Sequence, residues 1–236
     1  MKKVVFLKIS ILSVAFLCLC FLFCGIFGNV NNASTPLLKY CIVIDAGHGG
    51  IDGGVEGYSK KTNERDINLE FALKLGNLFE AMSVNVIYTR TSTEGLYDPN
   101  AKNKKVDDMQ KRINIIKNNN ANLVISLHQN GYNDPSQRGI MAFYKHGQDA
   151  SKNLAETLQT RFKNNIEHSR AQALVGDYFI LNECDALCVL VECGFLTNPE
   201  EEQLLQSEDY QNKICFEIFA GCIQYLVTKG EICLEQ

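Results

Sequence analysis

The chain has 236 residues, 46% of them hydrophobic and 21% charged, and 23 Lys+Arg against 27 Asp+Glu give a net charge of −4. This composition excludes a disordered chain and, at roughly 150 residues per domain, fits one packed domain plus an appendage. The acidic balance argues against a nucleic-acid partner, because phosphate binding needs a positive surface.

Lys2, Lys3 and Lys8 precede an apolar run from Ile9 to Phe27, the charged-then-apolar order of an export signal. A helix of this length, at about 1.5 Å rise per residue, nearly crosses a bilayer core, so an uncleaved membrane anchor fits equally well. Residues 1–28 are therefore expected to be a signal peptide or membrane anchor, 29–40 a polar linker, and 41–229 the folded domain, exported across the cytoplasmic membrane. Residues 1–35 hold three Lys and no acid, so the remainder carries 20 basic and 27 acidic residues, a net −7. Cys18, Cys20 and Cys24 fall in the apolar run. The other seven cysteines are odd in number and match no C-x-x-C spacing, so they are read as buried thiols.

In chain order, Cys41–Ala46 (CIVIDA) is a β-branched run ended by a glycine-rich loop, a buried-strand signal. From Asn63 the spacing becomes helical through Ile67, Leu75, Phe79 and Met82, with Thr62 or Asn63 as N-cap and Glu64 and Asp66 in the first turn. Val84–Thr89 is a second strand, Val106–Lys117 a helix, and Leu123–Leu127 (LVISL) a third strand. Ile140–Tyr144 and a weaker Tyr178–Leu181 are further strands, and Leu187–Val191 (LCVLV) is the last. Helices are expected at 149–165 and 209–228. Strands alternating with helices predict one α/β domain on a mostly parallel sheet, with helices on both faces. The glycine run is neither a Walker loop, lacking Gly-Lys-Ser/Thr, nor a dinucleotide fingerprint, because Asp52 stands where a glycine is needed.

Chemistry-bearing side chains sit just beyond three of these strands: His48 after CIVIDA, His128 after LVISL and Glu192 after LCVLV. Ligands of open α/β sheets bind outside the carboxyl ends of the strands. Two imidazoles and a carboxylate around an open position suit Zn²⁺ better than Mg²⁺ or Ca²⁺. On spacing alone the third ligand is Glu64, Asp45, Asp52 or Glu192, and a zinc hydrolase needs a further carboxylate to carry the proton of water. His146 and His168 are read as solvent-facing.

Five motifs occur in order: IDAGHGG (Ile44–Gly50), NERD (Asn63–Asp66), YTR (Tyr88–Arg90), ISLHQN (Ile125–Asn130) and VECGFLTNPEE (Val191–Glu201). Together they resemble the zinc-dependent N-acetylmuramoyl-L-alanine amidases of the type-3 group over residues 41–227. That resemblance implies a three-layer, phosphorylase/hydrolase-like α/β fold with a mixed sheet. It implies His48, Glu64 and His128 as zinc ligands and Glu192 as the catalytic acid-base. Asn130 and Arg90 match positions expected to meet substrate, and Arg112 matches a family position too. In the His-x-Asn motif this chain has Gln129 where many relatives carry a small residue.

The reaction so implied is hydrolysis of the amide between the lactyl group of muramic acid and the stem-peptide L-Ala of peptidoglycan. A short export segment followed by an amidase domain resembles the germination-specific amidases of spore-formers, which act on cortex and help form muramic-δ-lactam. An activating or targeting protein partner is expected, as is an extracytoplasmic location, secreted or membrane-anchored. The rival readings are a catalytically inactive peptidoglycan-binding scaffold and a zinc peptidase acting within the stem peptide.

Overall fold

A computed structural model describes residues 40–231. The expected signal or anchor at 1–28 and nearly all of the 29–40 linker lie outside the described residues.

Six strands form one sheet: β1 (Cys41–Ala46), β2 (Asn85–Tyr88), β3 (Leu123–Asn130), β4 (Met141–Tyr144), β5 (Leu174–Val175) and β6 (Leu187–Phe195), in the order β2-β1-β3-β6-β4-β5. The first four in that order run parallel, and β4 pairs antiparallel with β6, so the sheet is mixed and mostly parallel. The helices are α1 (Glu64–Glu80), α2 (Lys104–Asn118), α3 (Asp149–Asn165), α4 (Phe179–Glu183), α5 (Pro199–Leu205) and α6 (Glu208–Thr228).

Period-2 alternation sends the two edges of each strand to opposite faces. Ile42 and Ile44 of β1, with Ile125 and Leu127 of β3, pack with Phe71 and Leu75 of α1, Leu158 of α3 and Ile218 of α6. Val43 and Val124 point the other way, against Ile113 and Ile116 of α2 and Ile180 and Leu181 of α4. The sheet is thus covered on both faces, which is why its central strands read as continuous apolar runs. All six described cysteines are buried and unbridged, filling core space as small hydrophobes.

The structure differs from expectation in three respects. Tyr178–Leu181 is not a strand; the Asn182 amide closes a helical turn on the Tyr178 carbonyl at 2.9 Å, and Ile180 and Leu181 are both buried, as a helix face allows and a half-buried strand does not. The edge strand is Leu174–Val175 instead. Helix α5 was not anticipated, although Asn198 caps the amides of Glu200 and Glu201 and Pro199 follows it, a helix-start signal. Finally, β3 and β6 run past Leu127 and Val191, so His128, Asn130 and Glu192 lie within the last residues of their strands.

Candidate active site

The β1, β3 and β6 strands are sheet neighbours, and their carboxyl ends meet where β1 leads outward to β2 and β3 begins the other half of the sheet. This is the switch point at which a crevice opens. His128 and Glu192 are direct register partners across β3 and β6, followed by an irregularity before Asn130 that re-aims the strand end.

His48 stands in the loop after β1 with φ 61°, a left-handed conformation uncommon for a residue with a side chain. Two buried guanidinium groups hold it there. The His48 carbonyl accepts from Arg90 Nε at 2.8 Å and from Arg112 Nη2 at 2.5 Å. Arg90 also donates to the carbonyls of Ala46, Gly47, Ser92 and Arg65. Arg112 is paired with Asp45 and Asp108, each at 2.6 Å. Asp45 in turn accepts from Ser126 and Thr89, and although burial opposes its ionisation, Arg112 and Ser126 bring its pKa down to about 2.

Glu64 opens α1 and is buried. Its Oε2 accepts the Val55 amide at 2.8 Å, and its Oε1 accepts the Gln129 amide at 3.0 Å and the Asn68 side chain at 3.2 Å. His48 Nε2 lies 3.1 Å from Oε2 and His128 Nδ1 lies 2.8 Å from Oε1. Burial alone would raise the pKa of this carboxyl, but the hydrogen bonds and charges of His128 and His48 outweigh it and hold Glu64 well below the usual range. One donor atom from each of His48, Glu64 and His128 falls within 4.8 Å of the others. Asp52 Oδ2 stands 3.0 Å from His48 Nδ1, the ring nitrogen that does not face Glu64.

Glycines make this convergence sterically feasible. A Cβ on Gly47 would run into the His128 imidazole, and one on Gly54 would run into the Glu64 carboxylate and the His48 ring. An ionised carboxylate between two imidazoles, in a cradle cleared of Cβ atoms, fits a divalent metal with nitrogen and oxygen ligands.

Glu192 lines the same crevice as His48, Glu64, His128 and Asn130. It is 6% exposed, and its Oε2 is buried with no hydrogen-bond partner. Burial is the main force raising its pKa, to about 7; Glu64 adds to the rise, while His128, His48 and Tyr178 oppose it.

The structure therefore brings together five of the six expected residues, and Arg90 is the exception. It is 4% exposed, and its guanidinium is spent on backbone carbonyls, so it shapes the His48 loop rather than reaching substrate. Gln129 also turns inward, donating to Asn68 at 3.2 Å, so the unusual side chain in that motif lies beneath the site. Asp45, open as a ligand on spacing alone, is held by Arg112 instead. Sequence reasoning missed Asn68, although its position four residues after Glu64 places both on one helix face. It also missed Tyr178, whose ring forms part of the crevice wall beside Glu192 and carried no local signal.

Fold and site define a hydrolase-type α/β domain with a His–Glu–His cluster at the switch point of a mixed sheet. The chain belongs to the N-acetylmuramoyl-L-alanine amidase family, whose model matches residues 42–224. It is 32% identical over 92% of its length to the germination-specific N-acetylmuramoyl-L-alanine amidase of Bacillus subtilis, covering 93% of that protein. It is 26% identical to the amidase LytC of the same organism, of which it spans 37%. Among solved structures it is similar to the CwlD amidase of Clostridioides difficile in complex with the GerS lipoprotein, with TM-score 0.77 and 35% identity over 80% of this chain and 100% of that one. The catalytic domain of the amidase CwlV from Bacillus (Paenibacillus) polymyxa matches with TM-score 0.71 and 29% identity, over 80% of this chain and 99% of that one.

Proposed function

We propose that this amidase is zinc-dependent, with His48, Glu64 and His128 as the metal ligands and Glu192 as the acid-base residue, and that it acts on spore cortex peptidoglycan. The observation that carries the reading is Glu192. Its buried, unpartnered carboxylate oxygen lines the same crevice as the three ligand-type side chains. When bound, zinc supplies Lewis-acid chemistry, acidifying water and stabilising negative charge on the scissile carbonyl oxygen.

The protein's own residues do the rest. Glu192, ionised, takes a proton from the attacking water and delivers it to the departing alanine nitrogen, a transfer favoured by a pKa near the working pH. Asp52 holds the His48 ring from behind, and Asn68 and the Gln129 amide keep the Glu64 carboxylate turned to the crevice. Asn130 lies at the end of β3 in the crevice wall and meets substrate there.

The cortex assignment rests on similarity to the germination-specific enzyme, and a lipoprotein partner on the complex formed by the CwlD amidase. An export signal or anchor at 1–28, a linker at 29–40 and a catalytic domain at 41–229 then place the enzyme outside the cytoplasmic membrane, against its substrate.

Product identification on purified sacculi is the test. Cleavage leaves a free lactyl carboxyl on the glycan and a new N-terminal alanine on the peptide, is lost on chelation, and returns with zinc. Cleavage within the stem peptide would replace this reading with a peptidase. Absence of any cleavage with zinc present would replace it with a binding scaffold. Cortex from a deletion strain should lack muramic-δ-lactam; unchanged lactam would remove the spore assignment.

A further inference from the structure

A second cavity of about 490 Å³ opens from the same two imidazoles, His48 and His128, but runs in another direction, between the 92–105 loop with α2 on one side and α4 on the other. Its walls mix apolar and aromatic side chains, among them Met109, Leu190, Tyr97 and Tyr178. Ile51, 70% exposed, and Phe179, 43% exposed, also line it.

The walls are pre-set. The Tyr97 hydroxyl accepts the Ile51 amide at 3.0 Å, and the Gly50 amide donates to the Thr93 carbonyl at 2.8 Å. The Leu96 amide donates to Asp108 at 2.5 Å, tying the 92–105 loop to α2. A cavity already formed avoids the ordering cost of binding.

Three cations line it. Arg112 is neutralised by Asp45 and Asp108, and Lys105 lies 3.5 Å from Asp52. Lys104 has no acidic partner within ion-pair reach among the described residues; its ammonium sits over the Tyr97 ring, 5.5 Å from the centroid. Asp177, the remaining carboxylate in the wall, accepts from Asn182 at 2.7 Å. The cavity thus offers one half-buried, positioned cation free to take an anion.

The amide cleaved by this family joins two unlike parts. The glycan continues in both directions and needs an open surface, whereas the peptide ends and so fits a walled cavity. A peptide also ends in a carboxylate. We propose that this second cavity is the stem-peptide subsite, and that Lys104, braced by Tyr97, receives a carboxylate of that peptide. The inference rests on the amidase reading and adds a specificity-determining residue to it.

The test uses the full-length zinc-loaded protein and two synthetic N-acetylmuramoyl peptides, identical except that one ends in a carboxylate and its twin in a carboxamide. KM for the acid is expected to be roughly tenfold below that for the amide, the size of one charge-assisted contact. Lys104→Gln removes the difference and Lys104→Arg restores it. Calorimetric titration with the released peptides should show the same pattern in Kd. Equal KM for both substrates in the wild type, or discrimination that survives in Lys104→Gln, overturns the subsite while leaving the amidase reading intact. Hydrolysis of neither substrate, with sacculi also untouched, overturns both.

Discussion

His128 and Glu192 face each other in register on the parallel strands β3 and β6, so a ligand-type imidazole and a buried carboxylate are neighbours by sheet pairing rather than by any flexible loop. Two groups fixed in adjacent strands hold their separation without an ordering cost during reaction. On the proposed reading this pairing divides the labour, the imidazole serving the metal and the carboxylate moving the proton.

Glu192→Gln preserves shape and removes the base. It is expected to retain zinc at wild-type stoichiometry, measured by metal analysis after dialysis, and to lose turnover by about 10²- to 10⁴-fold. His128→Ala should lose the metal itself. Near-normal hydrolysis by Glu192→Gln would assign the proton transfer to another group.

The raised pKa of Glu192 also has a thermodynamic signature. Below about pH 4.5 the group is protonated folded and unfolded alike. Between there and about 7 the folded protein keeps a proton that the unfolded chain releases, so its contribution to stability declines as pH rises, by on the order of 3 kcal/mol in total. Urea unfolding of the metal-free protein from pH 5 to 8 should show Glu192→Gln gaining on the wild type by that amount. Parallel pH profiles for the two proteins would mean that Glu192 is already ionised when folded.

Arg112 lies at the centre of a buried network joining α2, β1 and the His48 loop. Arg112→Met strands Asp45 as an uncompensated charge and is expected to cost about 3–5 kcal/mol in chemical denaturation. Adding Asp45→Asn should recover part of that loss. Zinc affinity should fall in both variants, because the His48 carbonyl loses one of its two guanidinium donors. A loss of stability with zinc affinity untouched would show that Arg90 alone holds the loop.

Gly54 and Gly147 both have positive φ, 67° and 78°, yet only Gly54 abuts the site. Gly147→Ala meets nothing within 4 Å and should carry only the conformational penalty, about 1–2 kcal/mol. Gly54→Ala adds a collision with Glu64 and His48, so its melting temperature should fall further and its metal content should drop. Equal effects of the two substitutions would mean that the Glu64 carboxylate can shift without loss of the metal.

Residues at strand ends were legible because apolar β-branched runs announce buried strands, and whatever follows them must lie at the sheet edge. His48, His128 and Glu192 are expected at that edge on this ground, and the structure has them there. Tyr178–Leu181 was misread because four consecutive apolar residues have no period, and only their packing beneath the sheet decides between a strand and a turn of helix. The role of Arg90 was equally hidden. An arginine in a motif looks the same whether its fork meets substrate or five backbone carbonyls, and four of those carbonyls belong to segments far away in the chain.

Local order alone determined the α/β class, the alternation of strands and helices, and the set of side chains able to do the chemistry. These follow from periodicity and residue type, which neighbours in the chain carry between them. Tertiary structure decided which acid stands between the imidazoles, which is left buried and unpartnered, and which is consumed by Arg112. Asp45, Asp52, Glu64 and Glu192 are alike as carboxylates, and they come to differ only through burial and the charges that folding sets beside them.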